Sequence, residues 1–501
     1  MLQEPVYESI CFSGKKVGIS EKLRPECKTE IPSEAVGKVL SVNAFAVINN
    51  SEVSDGHVKY GGKIMFYVCY ESEGSLKKCE CGSEFLGDIA TENAESGCNE
   101  YVSVCVEKTD YDLSGVRLSV FANITVNAEL CSSEKLSALS NGEGLVLDKR
   151  DITYSRSYGV KKGAYPVEEE FELSYPVAEV LSHKAGAVLT AVQCGVGCII
   201  VDGEVHISAL LLQNSEKSDI IRENRTLPFR MEIEYDEAMP TMQAAARVSE
   251  KSFKTDISVD ADNNKSIVNV NVVLQFEGEA FSEENATIAA DAFSLTDKVE
   301  PEFGEYDYRS AAELRSCRTR IGIRAVMDEI PAGSRLMTIG GEKAEVVSVD
   351  CSDGIKITGI FTAYGYFRDF EGGNFTVRLE APFETSPDCP SLCDCEQSAT
   401  VFVDKVSARL VSLTEAELEA DLIITVCSEQ KNKIRFIKDI KSLGEKEICD
   451  SAISVYIPLE GEDLWSLAKR LNACPDEICA TNKDLQFPLT GKERILVYRR
   501  K

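Results

Sequence analysis

The chain has 501 residues, and its 83 acidic side chains outnumber the 54 basic ones, which gives a formal net charge of −29. Such a chain is poorly suited to bind nucleic acid or anionic lipid by electrostatics. An apolar fraction of 44% excludes a disordered chain. The length predicts three or four domains at about 150 residues each.

The beginning of the sequence, Met1-Leu-Gln-Glu-Pro, has no basic stretch followed by an apolar core, so we expect no secretory signal. We also expect no membrane insertion, because no run approaches the roughly 18 apolar residues of a membrane span. The protein should therefore act in the compartment where it is made. In that setting the 19 cysteines favour free thiols packed as small apolar side chains over a disulfide framework.

A repeat extends over most of the chain. An Asp-Gly pair opens an alternating strand about every 150 residues, at Asp55-Gly56, Asp202-Gly203 and Asp353-Gly354. A phenylalanine follows each pair, namely Phe85, Phe229 and Phe383. A long segment with apolar residues at every second position comes next, over Val116–Leu130, Val268–Phe276 and Ala416–Val426.

Strict alternation over such lengths predicts antiparallel strands with one buried face. We predict a mainly β protein, with tandem antiparallel β modules (each a sandwich or open barrel) followed by a small βααβ domain. The alternative is generic β patterning without true repetition. The predicted divisions are an N-terminal segment 1–34, β modules 35–165, 166–300 and 301–430, a linker 431–453 and a terminal domain 454–501.

The terminal domain combines two short apolar strands, Val455–Leu459 and Arg494–Tyr498, with two helical segments. The first helix has apolar residues at three- and four-residue spacing, namely Leu464, Trp465, Leu467, Ala468 and Leu471. Pro475 suits the first turn of the second helix. Trp465 is predicted to fill the core against Leu496 and Val455.

This strand-helix-helix-strand unit resembles a LysM domain. Residues at the places of the LysM signature are Gly461, Leu464, Trp465, Ala468, Asn482, Pro488 and Gly491. LysM domains generally bind N-acetylglucosamine (GlcNAc) polymers such as peptidoglycan. The resemblance implies a binding site on two loops, made of Gly461, Glu462, Asp463, Leu464, Phe487, Pro488 and Leu489, with Trp465, Ala468 and Asn482 in the core. Glu462-Asp463 replaces the usual Asp-Thr, and this loss of a hydroxyl favours a protein ligand over a sugar.

Acidic tandem β modules that end in a LysM-like unit resemble the SipL/SPOCS family of spore-coat morphogenetic proteins from clostridia. The resemblance rests on Asp55-Gly56 with Gly61-Gly62, on Leu227-Pro228-Phe229, on Asp291-Ala-Phe-Ser294, and on the terminal Gly461-Glu-Asp-Leu-Trp465. It implies a non-catalytic scaffold in the mother-cell cytoplasm at the forespore surface. There it would tether the basement layer of the coat and bind a self-assembling ATPase of the SpoIVA kind.

No catalytic residues and no cofactor are predicted from the sequence. The three histidines, His57, His183 and His206, lack metal-ligand spacing, and His57 and His206 suit half-exposed strand positions. The candidate metal ligands are Cys389, Cys393 and Cys395, with Cys79 or Cys81 as a fourth, but no complete set of Cys-x-x-Cys pairs supports them. Thiols that cross-link in an insoluble coat are the other use for this cluster.

Three functional interpretations remain open at this point. The first is an intracellular scaffold that joins coat proteins. The second is a peptidoglycan-binding protein that acts through the LysM-like domain. The third is a metal- or thiol-dependent enzyme formed by the β modules.

Overall fold

The computed structural model describes residues 5–31, 36–95, 98–215, 219–350, 354–388, 396–447 and 453–498. These residues form 21 strands, which pair antiparallel in every sheet, and two short helices. The prediction of a mainly β fold with several antiparallel sheets is confirmed. No helix in this part of the chain is long and apolar enough to cross a bilayer.

The same series of strands occurs three times, except that the first strand of the series is divided into two in module 1. Module 1 comprises β1 (Val6–Leu23), β2 (Glu26–Glu30), β3 (Val36–Ser54), β4 (His57–Ser72), β5 (Ser75–Ala90), β6 (Asn99–Ser114) and β7 (Arg117–Asn141). Module 2 comprises β8 (Leu145–Glu172), β9 (Val177–Cys194), β10 (Cys198–Gln213), β11 (Ile220–Glu234), β12 (Gln243–Val259) and β13 (Lys265–Ser294). Module 3 comprises β14 (Asp297–Val326), β15 (Arg335–Asp350), β16 (Lys356–Arg368), β17 (Asn374–Thr385), β18 (Glu396–Leu410) and β19 (Glu415–Glu445).

The terminal unit follows the modules. It comprises β20 (Ile453–Tyr456), α1 (Leu464–Leu471), α2 (Pro475–Thr481) and β21 (Ile495–Tyr498). Its two strands pair with each other, so that the observed order is strand-helix-helix-strand.

Each module consists of two facing groups of strands. One is a three-stranded meander, made by β3-β4-β5, β9-β10-β11 or β15-β16-β17. In the other group, the long last strand of the module lies in the middle. β13 lies between β12 and β8, and β19 lies between β18 and β14. In module 1, β7 has β6 on one side and both β1 and β2, one after the other, on the other side. In module 3 the pair Val326–Glu380 joins the two groups into one six-stranded sheet with β15 and β18 at its ends.

The long alternating segments found in the sequence are β7, β13 and β19, and their apolar face forms the module cores. In β7, for example, Val120, Ala122, Ile124 and Val126 are completely buried. The alternation thus has the physical origin that was expected, since one face of each strand packs inside the module.

A glycine opposite a phenylalanine marks the centre of each meander. The pairs in register are Gly62–Phe85, Gly203–Phe229 and Gly359–Phe383. The ring lies so close over the glycine that a Cβ there would come within 2.3–2.4 Å of a ring carbon. The ring therefore covers the glycine backbone, and this requires a residue without a side chain.

This register corrects one element of the sequence repeat. Asp202-Gly203 was expected to open a strand, as Asp55-Gly56 does before β4. Instead it lies within β10, which begins at Cys198 after a turn at Gly197 with φ +73°. Gly203 is therefore equivalent to Gly62, and the Asp-Gly match in module 2 is coincidental.

We expect Gly203→Ala to destabilise the protein by about 1–3 kcal/mol, because the new methyl group overpacks the core against Phe229 and the Val188 carbonyl oxygen. Denaturant unfolding of the full chain measures the change. Gly322→Ala, also in a strand but with nothing within 4 Å of the added Cβ, is the control and should be nearly neutral. Equal losses for both variants would contradict the packing explanation.

The long strands extend beyond the modules as three two-stranded ribbons. In each ribbon the start of the module's first strand pairs with the end of its last strand. The strands are β1 with β7, β8 with β13, and β14 with β19. They pack on one another around Phe12, whose ring centroid lies 4.9–5.1 Å from those of Tyr154, Tyr306 and Tyr308. Since each ribbon contributes to this ribbon core, the three modules are tied together at one end.

The strands run across several predicted boundaries. Residues 165 and 166 both lie in β8, 300 and 301 in β14, and 430 and 431 in β19. The predicted N-terminal segment supplies β1 and β2, and part of the predicted linker continues β19 to Glu445. One long strand can serve both a module and a ribbon, a feature that sequence alternation alone does not reveal.

The modules also meet beside their meanders. A shared apolar cluster includes Leu40 and Cys69 of module 1, Leu210 of module 2 and Tyr366 of module 3. Next to it, Glu342 of module 3 forms ion pairs with Lys184 and Arg222 of module 2. The side chain of Glu342 is only 2% exposed. The interface thus combines apolar packing with a buried carboxylate between two cations.

Candidate functional site

The two loops predicted to form the binding site lie side by side in the terminal unit. The Gly461 N–H donates to the Leu489 carbonyl oxygen at 2.7 Å, and the Leu489 N–H donates to the Glu462 carbonyl oxygen at 3.0 Å. Gly461 has φ +80°, a conformation that glycine adopts without steric cost. The sequence therefore brings Gly461–Leu464 together with Phe487–Leu489, although whether they bind a ligand stays a prediction.

The two acidic residues of the first loop have structural roles. Asp463 caps α1, since its Oδ1 accepts a hydrogen bond from the Ser466 N–H at 2.7 Å. The buried Glu462 carboxylate accepts from Arg470 Nε and Nη2 at 2.8 and 2.9 Å, and from the Leu459 N–H at 2.9 Å. The hydrogen bonds from Arg470 lower the pKa of Glu462. Glu462 is thus engaged inside the unit, and Asp463 stays exposed.

Trp465 does not pack against Leu496 and Val455 as the sequence pattern predicted. Its ring lies 5.3 Å from that of Phe293 at the end of β13, and its Nε1–H donates to Asp291 at 2.9 Å. The physical reason is the pleat of the small sheet, because Leu496 and Val455 point away from the helices. Trp465 therefore holds the terminal unit against the module 2 ribbon.

Further polar contacts fix the same docking surface. Lys469 Nζ donates to both Asp291 oxygens at 2.8 and 2.7 Å, and Asn472 Nδ2 donates to the Leu295 carbonyl oxygen at 2.7 Å. Although burial raises the pKa of Asp291, the hydrogen bonds from Lys469 and Trp465 lower it overall. Asp291 therefore stays ionised and acts as an anchor for the terminal unit.

We expect Asp291→Ala to loosen this docking by about 2 kcal/mol, because a charged acceptor shared by Trp465 and Lys469 is lost. Hydrogen exchange of the α1 amides at neutral pH measures the change. Asp476→Ala, at an exposed position on α2, is the control and should leave exchange unchanged. Unchanged α1 exchange in the Asp291 variant would show that the contact contributes little.

Two other residues expected in the core are buried or bonded within the unit. Ala468 is completely buried between the helices and the sheet. Asn482 Nδ2 donates to the Leu496 carbonyl oxygen and its Oδ1 accepts from the Leu496 N–H, both at 2.8 Å. The Asn482 side chain thereby pairs with β21 as a neighbouring strand would.

The outer face of the β20–β21 sheet is apolar and exposed. Six large side chains, 37–69% exposed, define it: Ile453, Val455, Leu496 and Tyr498 on the two strands, and Ile457 and Leu459 in the segment directly after β20. Ile453 pairs with Tyr498 and Val455 with Leu496 across the strands, so these four side chains form one continuous surface. Together with Ile457 and Leu459 it is called the apolar face below. The sequence analysis did not predict this surface. The signal for it is that β21 is apolar at consecutive positions, which indicates that both faces of the strand carry apolar side chains.

The candidate metal ligands Cys389, Cys393 and Cys395 lie outside the described residues. Within the described residues, no group of three or more His, Cys, Asp or Glu side chains is placed to hold a metal ion. His57 is exposed and contacts Asp88 at 2.8 Å. His206 is only 2% exposed, contrary to the half-exposed position expected, because Asp404 of module 3 covers it at 2.9 Å.

A family comparison identifies one part of the chain. Residues 35–114 match the SipL SPOCS domain. The matched range contains β3 to β6, namely the meander of module 1 with its Gly62–Phe85 pair and the strand that faces it. No curated protein and no solved structure matches the chain. This match relates the protein to sporulation.

Modules 2 and 3 share the strand order and the glycine–phenylalanine pair of the matched region in module 1. Beyond the matched range, each module adds a long strand that lies in both its sheet and its ribbon. The region that is similar to the SPOCS domain therefore lies in the first of three structurally equivalent modules, and the terminal unit is docked on the second.

Proposed function

We propose that the protein is a non-catalytic scaffold of the spore envelope that tethers the basement layer of the coat to the forespore surface. It would act in the mother-cell cytoplasm through protein–protein contacts of its terminal LysM-like unit and its SPOCS-like modules. The proposed partner is a coat-layer ATPase of the SpoIVA kind. The observation that carries this proposal is the apolar face of the terminal unit.

A surface of this kind is suited to a protein partner. Six large exposed apolar side chains, four on a two-stranded sheet and two directly after its first strand, lose water favourably when another protein covers them. Sugar recognition instead needs hydrogen-bonding groups at the loops, and the Glu462 carboxylate is already occupied by Arg470. The docking through Asp291 leaves the apolar face exposed, and it fixes the direction in which that face points.

Peptidoglycan binding through the LysM-like unit is the second candidate. The observation that favours it is the direct contact between the two predicted loops, joined by the Gly461–Leu489 hydrogen bond, with Asp463 and Pro488 exposed. A GlcNAc polymer would then lie along these loops and not on the apolar face.

The test compares two surface variants of the full chain. Ile457→Glu places a charge in the apolar face, and Val196→Glu places one on an equally exposed turn of module 2. We expect the first to weaken binding of a purified SpoIVA-type ATPase at least tenfold and the second to leave it unchanged. Equal affinities would refute the role of the apolar face.

A parallel measurement addresses the glycan. Sedimentation of the full chain with peptidoglycan, competed by chito-oligosaccharide and unaffected by Ile457→Glu, would instead establish the second candidate.

A further inference from the structure

An open seam runs along module 3. Its six strands form one sheet in the order β15-β16-β17-β14-β19-β18, and the two end strands lie near each other without pairing. A cleft of about 540 Å³ lies in this seam, lined by residues 334–339 and 406–410. The module is thus an open barrel that lacks the strand or the pairing that would close it.

The corresponding end strands of modules 1 and 2, β3 with β6 and β9 with β12, are also unpaired where the structure describes them, but other contacts bridge them. Between β3 and β6, the Thr109 hydroxyl donates to the Val42 carbonyl oxygen at 2.6 Å. Between β9 and β12, the Ala187 N–H donates to Glu250 Oε1 at 2.7 Å, and the ring of Phe402 from module 3 covers Gly186. Among the described residues, no hydrogen bond joins 334–339 to 406–410.

The chemistry of the cleft indicates what would fill it. The Ser334 hydroxyl is buried and has no hydrogen-bond partner among the described residues. Arg335 is exposed, and no carboxylate in the described part of the chain pairs with it, although acids outnumber bases strongly. At the same end, Phe370 is 74% exposed beside Gly333. The cleft therefore offers a strand edge, an unused hydroxyl, a free cation and an apolar rim.

We propose that the seam binds an extended peptide strand of a protein partner in which carboxylates alternate with apolar side chains. The peptide would pair with the edge of β15 that precedes Ile339, whose carbonyl oxygen already accepts a hydrogen bond from Arg222 Nη1 at 3.3 Å. Edge strands commonly pair in this way when another chain adds to a sheet. Its carboxylates would face Arg335, and about five residues would span the roughly 17 Å of strand that line the cleft. This second attachment point is independent of the proposed function of the apolar face.

The probe is a fluorescent peptide of three Glu-Val repeats, tested on the full chain by anisotropy and by hydrogen exchange. We expect binding that protects the amides of residues 335–339 and is lost when lysine replaces glutamate in the peptide. Arg335→Glu should weaken binding at least tenfold. Arg117→Glu, which changes an exposed arginine of module 1, is the matched control and should not alter it.

Three outcomes would overturn the proposal: no binding at millimolar peptide, equal binding of the lysine peptide, or protection elsewhere in the chain. Sedimentation of the protein without peptide tests whether a second copy of this chain occupies the seam. A dimer that already protects residues 335–339 without peptide would assign the seam to a second copy of this chain, and that would also refute a separate partner.

Discussion

Glu342→Gln is expected to destabilise the protein by about 3–5 kcal/mol, because it leaves the buried Arg222 and the partly buried Lys184 without their shared anion. Arg222 Nη1 and Nη2 donate to the two Glu342 oxygens at 3.0 and 2.8 Å, and Lys184 contacts the same carboxylate. Glu342 and Arg222 are removed from water, since their side chains are only 2% and 8% exposed. Denaturant unfolding of the full chain measures the loss.

The control lies three residues further along the same strand. Glu345 is exposed and contacts Lys343, so Glu345→Gln should change stability by less than about 1 kcal/mol. Hydrogen exchange then localises the effect, since the Glu342 variant should open the contact between β15 and β11 first. Comparable losses of stability from both variants would show that the ion pairs of Glu342 with Arg222 and Lys184 are not the source of the effect.

The dependence on pH has a definite sign. Burial raises the pKa of Glu342, but Lys184 and Arg222 outweigh it and lower the pKa to about 2 from an ordinary 4.5. The unfolded chain therefore binds this proton first as the pH falls, and the stability due to Glu342 is fully present above pH 4.5 and lost towards pH 2. The difference between the native protein and Glu342→Gln should shrink over that interval. A constant difference would contradict the role of the ionised form.

The alternation in the sequence was informative wherever one face of a strand packs within its own module. This holds for β7, β13 and β19, and it accounts for the confirmed mainly β fold. The alternation does not predict burial where a neighbouring module covers the strand. His206 lies on a strand face that module 3 covers, and no local pattern in module 2 indicates that contact.

The terminal unit shows the same limit. The spacing of apolar residues predicts its helices, because α1 buries Leu467, Ala468 and Leu471. It does not assign the partners of Trp465, since Asp291 and Phe293 lie more than 170 positions earlier in the chain. Likewise, alternation cannot separate a strand with two buried faces from one whose second face is left exposed, as in β21.

Phe12→Ala is expected to cost about 3–5 kcal/mol and to reduce the cooperativity of unfolding. Phe12 is buried at the centre of the ribbon core, in contact with tyrosines of modules 2 and 3, so its removal leaves a cavity shared by all three ribbons. Because the ribbon core is one of the two contacts that couple the modules, we expect the modules of this variant to unfold in separate steps instead of together.

Calorimetry of the full chain distinguishes this from simple destabilisation. The Phe12 variant should show a broadened or split transition, and its β1 and β7 ribbon amides should exchange faster than those of the module cores. Phe303→Ala is the matched control, because Phe303 lies in the module 3 ribbon but stacks on Arg435 at the surface. A single sharp transition for the Phe12 variant would mean that the meander contacts alone couple the modules. The ribbons would then serve chiefly to position the terminal unit, which depends on the end of β13 for its anchor at Asp291.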